Sequence, residues 1–263
     1  MFRKLTLAAL ILAVGLVGPQ ALQAQDMGSD GPVTFQVTIR NVGSLDELPS
    51  DAATGGAVWI TPGAYAVHHG SNPIFTEGAY ASDGLEALAE AGPPTGTPQN
   101  QPGLVATLGN VDRVSAFGAY TPGNTIEDPN DPMGSVPGAP PIAPSGSFQF
   151  TVEAEPGDKL SFASMFVPSN DLFLSPHADG IRLFNAAGEP VNGTVRPALV
   201  GLYDAGTEVN QEPGFGPDSA PIQDGPDQGK AEGQVVRPVS DVDDGFSYSS
   251  VEDTIQIHIQ PQR

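Results

Sequence analysis

Two short segments bring acids into turns beside apolar runs, VPSNDLF at 167–173 and LYDAGTE at 202–208. Oxygen-rich turns of this kind suit hard cations, since calcium takes about six to eight oxygen ligands at roughly 2.3–2.6 Å from carboxylates, carbonyls and water. Asp171 follows Pro168, Ser169 and Asn170 at the end of the apolar run LSFASMFV, which puts it at the mouth of a strand. Asp204 and Glu208 bracket Ala205, Gly206 and Thr207, and the glycine lets the backbone turn tightly enough for both acids to face one point. Asp171, Asp204 and Glu208 are therefore the candidate ligands of a metal ion, with calcium as the candidate cofactor. The same residues have a plainer use. Asp in a turn often accepts hydrogen bonds from its own backbone amides, and this spacing lacks the dense ligand string of an EF-hand.

The elements that must position these acids are mostly strands. Residues 33–40, VTFQVTIR, alternate apolar and polar side chains, and SFQFTVEA at 147–154 and TIQIHIQ at 254–260 do the same, which is the period of half-buried strands. LSFASMFV at 160–167 and VRPALVGLY at 195–203 are more continuously apolar and read as central strands, although Pro197 lacks an amide donor and limits where the second can pair. One helix is predicted after Ser82 as N-cap, with Leu85, Leu88 and Ala89 as its apolar stripe, Glu86 and Glu90 facing solvent, and Gly92 as its end. The fold class is mainly β: an antiparallel β-sandwich with one short helix and long Pro/Gly-rich loops. Those loops are 121–146 and 212–245, neither able to bury a second core. The second is expected to pack near the acidic turns.

At its start the chain reads as a secretory signal over 1–24: Arg3 and Lys4, an apolar run from Leu5 to Val17, and a small-residue exit ALQA. The domain prediction is thus a signal peptide at 1–24 and one sandwich over 25–263, secreted or periplasmic. No later stretch approaches the roughly 20 apolar residues of a membrane-spanning helix, so no integral span is expected in the mature chain. With no cysteine, neither a disulfide framework nor a lipidated cysteine is available. The formal net charge is −21, and loss of Arg3 and Lys4 would take it to −23, which excludes nucleic acid as a partner for want of clustered cations.

The acidic segments resemble known signatures. PSNDLF is similar to the PSPDWF of the spondin N-terminal domain, DAGTE resembles its DAGTD, and FTEGAYASDGLEALAEAG at 75–92 resembles the stretch in which a Gly, an Ala-Ser pair and a Leu-x-x-Leu-Ala-Glu helix follow one another. The closing strand DTIQIHIQ also has a counterpart, and the order of the motifs is the family's, most like its secreted bacterial members. The resemblance implies a sandwich related to calcium-dependent membrane-binding domains, holding one calcium through acids of the two loops. Asp171 matches the acid of the first signature, Asp204 the first acid of the second, and Glu208 stands where the family often has Asp. Leu172 replaces a Trp, Asn170 a Pro, and VNQEPGFGPDSAP lengthens the second loop.

Other chemistry is thinly supported. His68 and His69 would point to opposite faces of an extended segment and His258 lies alone on a strand, so no pair offers transition-metal geometry. No serine occupies a Gly-x-Ser-x-Gly elbow. The expected function is a non-enzymatic, calcium-binding module for adhesion or extracellular or envelope binding. Its ligand would be extracellular or on a cell surface, a carbohydrate or matrix protein, with Phe173, Phe215 and Phe246 near the acidic loops as the candidate aromatics to meet it, although ordinary aromatic burial favours a core place for Phe173. The alternative is a secreted hydrolase or sugar-processing enzyme using the acidic loops. A catalytic acid should face another carboxylate across an open cleft, whereas a structural ligand should be enclosed.

Overall fold

Alternation along VTFQVTIRN produces a strand with Phe35, Val37 and Ile39 fully buried on one side. A computed structural model describes residues 31–120, 125–126, 141–225 and 227–262. The predicted signal at 1–24 and most of the 121–146 loop lie outside the described residues. From Gly31 onward the chain is one unit.

Its strands are β1 (Val33–Asn41), β2 (Ile60–His68), β3 (Val114–Tyr120), β4 (Thr125–Ile126), β5 (Ser147–Ala154), β6 (Lys159–Phe166), β7 (Leu172–Pro176), β8 (Ile181–Arg182), β9 (Gly193–Thr194), β10 (Val200–Asp204), β11 (Arg237–Pro238) and β12 (Ile255–Pro261). They form two antiparallel sheets, one ordered β4-β5-β1-β12-β9 and the other β11-β10-β7-β6-β2-β3, with β8 paired to β6. Among the described residues three α-helices accompany them, α1 (Asp83–Ala91), α2 (Leu104–Leu108) and α3 (Val251–Thr254), of which only α1 exceeds two turns. The mainly-β antiparallel sandwich is the architecture expected.

The inter-sheet core joins Phe35, Val37 and Ile39 to Phe148 and Phe150 of β5, Ile257 of β12, and Ile60, Phe162 and Leu174 of the other sheet. On the far side of the second sheet, Ala64, Ala66, Ala163, Phe173 and Tyr203 pack under Leu85, Leu88, Leu104 and Leu108 of α1 and α2. That sheet is therefore covered on both faces. This is why β6 and β7 lack the alternation of β1: every residue of β7, and all but the first of β6, is buried.

The segment 195–203 is not one strand. Pro197 opens a 3-10 turn at Pro197–Leu199, and β10 begins only at Val200. A proline has no N–H for a ladder but fits the first turn of a helix, where that donor has no partner to make. The predicted caps of α1 are in place, with the Ser82 hydroxyl accepting from the Leu85 amide and Gly92 in the left-handed conformation.

Candidate metal centre

β7 and β10 pair antiparallel with Leu172 opposite Asp204, so Asp171, just before β7, and Asp204, at the end of β10, open at the same end of the second sheet. Ser169 holds the first turn: its hydroxyl donates to the Phe166 carbonyl at 2.5 Å and accepts from the Leu172 amide at 3.1 Å. The second turn depends on Gly206, whose φ of +72° disfavours a side chain and where a Cβ would stand 2.7 Å from the Gln234 carbonyl. Strand-like bonds tie the long 212–245 segment over this turn. Glu232 and Gln234 donate their amides to the carbonyls of Thr207 and Gly206, each at 2.8 Å, and the Val209 amide reaches Lys230 at 2.8 Å. The expected packing of that segment near the acids is what the structure has.

The three predicted acids are all buried, but their surroundings differ. Asp204 is satisfied on both oxygens. Its Oδ1 accepts from the Gly206 amide at 2.6 Å, and its Oδ2 accepts from Asn210 at 3.2 Å and from Arg237 at 3.0 and 2.8 Å. Arg237 also donates to both oxygens of Glu232, at 2.8 Å each. Asp171 accepts on Oδ2 from the Thr207 amide at 3.1 Å, the Thr207 hydroxyl at 3.3 Å and the Glu208 amide at 3.0 Å. Its Oδ1 has no partner. Burial, then the nearby charge of Asp204, hold its carboxyl well above the usual range, against the pull of the two amides. Glu208 accepts from the Gly229 amide at 2.6 Å and from Asn170 at 3.4 Å, and burial raises its carboxyl too. A Cβ at Gly229 would sit 2.1 Å from a Glu208 carboxylate oxygen, so a side chain there would displace that carboxylate.

One further acid belongs to this region, and the sequence reading placed it wrongly. Glu90, expected to face solvent, is 1% exposed, and neither of its oxygens has a hydrogen-bond partner of ordinary geometry. The 212–245 segment covers it, with the Gln223 side chain donating to the Glu90 carbonyl at 2.7 Å. Its carboxyl is pushed up to about 8, first by burial and then by Glu208, Glu86 and Asp227, with the nearby Thr207 side chain opposing. A signal was present. Glu86 and Glu90 are four apart on one helix, a like-charged pair that costs stability unless something neutralises it.

Among the described residues, Glu86, Glu90 and Asp227 form the group of three acids whose ligand atoms all lie within 4.8 Å of one another. Asp171, Asp204 and Glu208 share a strand mouth without closing to that distance. Of the proposed contact aromatics, Phe173 is core, stacked on Tyr203 with ring centroids 5.6 Å apart. Phe215 is partly exposed. Phe246, half-buried, borders a cavity of about 460 Å³ lined also by Glu232, Arg237, Asp241, Asp243 and Asp244. The histidines are separate: His68 is buried against the Ser161 hydroxyl at 2.9 Å, and His177 meets the Tyr203 hydroxyl at 2.5 Å. No helix among the described residues is long and apolar enough to cross a membrane. No protein-family model matches the chain, and no curated protein matches it.

Proposed function

We propose that this chain is an exported, non-enzymatic, calcium-binding sandwich that acts as an adhesion or envelope-binding module. The observation that carries the reading is Asp171, fully buried, with one carboxylate oxygen unpartnered beside Glu208 and Asp204. A buried carboxylate without a countercharge is costly, and the usual remedies are protonation, an ion pair or a metal. Asp171 and Glu208 would ligate the ion. Asp204, the third acid of the mouth, already has Arg237 and shapes the Gly206 turn beside them. The resemblance of the 167–173 and 202–208 segments to spondin signatures points to the same two loops.

The hydrolytic alternative asks for an acid open to a cleft, and the enclosure of Asp171 favours ligation over that role. The acidic cavity beside Phe246, next to the same turn, is the surface we assign to an extracellular carbohydrate or matrix ligand.

Thermal melts of the secreted protein with calcium and with chelator test the reading. Calcium at one hundred times the dissociation constant of this site should add about 2.7 kcal/mol through it, and Asp171→Asn should remove that share of the gain. Equal melting temperatures, with no metal found by elemental analysis, would refute it.

A further inference from the structure

We propose that Glu86 and Glu90 of α1 and Asp227 of the overlying segment bind a hard divalent cation of the calcium class, which pins that segment to the helix. This site is distinct from the Asp171 and Glu208 ligands and does not depend on them.

The first observation is distance. The ligand atoms of the three acids all lie within 4.8 Å of one another, and oxygens bound to one calcium at 2.3–2.6 Å can be at most about 5.2 Å apart. Each pair of carboxylates thus falls within the span of one calcium's ligand shell, and a small closure of the side chains brings all three onto one ion.

The second observation is independent of the first. Glu90 is 1% exposed, neither of its oxygens has a hydrogen-bond partner of ordinary geometry, and one of them is its ligand atom in the cluster. No cation compensates its charge among the described residues. Glu90 lies in the last turn of α1, which has no basic residue, and the helix C-terminus disfavours an anion there. Among the described residues the ion pairs of Arg237, Lys159 and His69 engage Asp204, Glu232, Asp179 and Asp158, and none engages Glu86, Glu90 or Asp227. The polar side chains near the cluster, Thr207 at Glu90 and Asn100 at Glu86, are uncharged.

The third is access and consequence. Burial grades from Glu90 inside, through Glu86, to exposed Asp227, so a hydrated ion can enter from the Asp227 side and keep water ligands there. Asp227 belongs to the same stretch as Gln223, which bonds the Glu90 carbonyl, and Gly229, which bonds Glu208. An ion shared by Asp227 and α1 thus fastens the cover over the helix, and holding Gly229 on Glu208 follows from it.

Calcium titration calorimetry of the chelator-stripped full chain, paired with limited proteolysis of the 219–232 stretch, tests this. Asp227→Asn changes an exposed loop residue and should leave the fold intact. It is expected to weaken one class of calcium binding at least tenfold and to abolish calcium protection of the stretch, with Glu86→Gln doing the same. Asp171→Asn should leave this binding in place, so loss of the Asp171 site alone would not touch the proposal. Asp227→Asn and Glu86→Gln proteins that titrate calcium and resist protease like the wild type would overturn it, as would protection given equally by sodium chloride at matched ionic strength.

Discussion

Asp171 and Asp204 sit across neighbouring strands at one end of one sheet, both wholly buried, yet one is satisfied and the other is not. At Asp204 the chain supplies its own cation: Arg237 binds Oδ2 through two nitrogens and extends to Glu232. Across the turn, Asp171, Glu208 and Glu90 have backbone amides and neutral side chains but no Lys or Arg among their described partners. Oxygen donors are thus concentrated on one side and already consumed on the other. The difference shows what a cluster of acids needs before it can hold a metal: not acidity or burial alone, but the absence of a competing side-chain cation.

The most direct way to break this contrast is the same substitution at both positions. In chelator, Asp204→Asn should destabilise by about 2 kcal/mol, less than the roughly 3–5 of a broken buried pair because Arg237 keeps Glu232. Asp171→Asn should change stability by under about 1 kcal/mol, since an amide resembles the protonated carboxyl that burial favours when no ion is bound. Urea unfolding of both variants without calcium checks the pair. Equal losses at the two sites would mean that Asp171 has a countercharge after all.

A smaller effect separates the two sides by pH. Glu90 has its carboxyl raised to about 8, so the folded protein keeps a proton there that the unfolded chain releases in the ordinary carboxyl range. The unfolded state then binds fewer protons over that window, and stability falls as pH rises from the ordinary carboxyl range through about 8. In chelator the melting temperature should decline across that range. Glu90→Gln should flatten the decline, and calcium should flatten it in the wild type by stabilising the ionised form. A decline unaltered by both would remove Glu90 as its source.

Sequence pattern was a good guide to the sandwich because alternation and burial have a local cause: β1, β5 and β12 each place one face in the inter-sheet core. It also located Asp171 and Asp204, whose turns are set by adjacent Ser169 and Gly206. It failed where the environment comes from far along the chain. The covering bond on Glu90 comes from Gln223, 133 positions away, so helical periodicity alone assigned that face to solvent. The partner of Asp204 is equally remote, Arg237 being 33 positions on, and nothing in DAGTE announces that its first acid is already paired. Pro197 starts a turn instead of merely limiting strand pairing, a choice the sequence leaves open because its neighbours are apolar enough to suit either.

The opposite end of the second sheet sharpens the comparison with a buried group that involves no acid cluster. His68 pairs with Lys159 in the ladder, whereas the acids lie beyond Phe166 at the other end of β6. Its imidazole is pushed down to about 4, chiefly by burial, with Lys159 and Arg113 adding to the effect and the His69 backbone and Asp158 opposing it. Here the unfolded chain takes up a proton below its ordinary value of 6.5 that the folded protein refuses until about 4. The contribution is therefore fully present above 6.5 and is lost as pH falls through that window, the reverse of the Glu90 slope. Because His68 is no metal ligand, the part of the acid limb that it contributes, read as the difference between proteins with and without it, should be the same in calcium and in chelator. The measurement is a pH series of melting temperatures for Glu90→Gln and for Glu90→Gln with His68→Gln, in both buffers. Loss of the acid slope on adding His68→Gln, equally with and without calcium, is the expected result. A slope that survives the histidine substitution, or that calcium abolishes, would place the acid sensitivity back among the carboxylates.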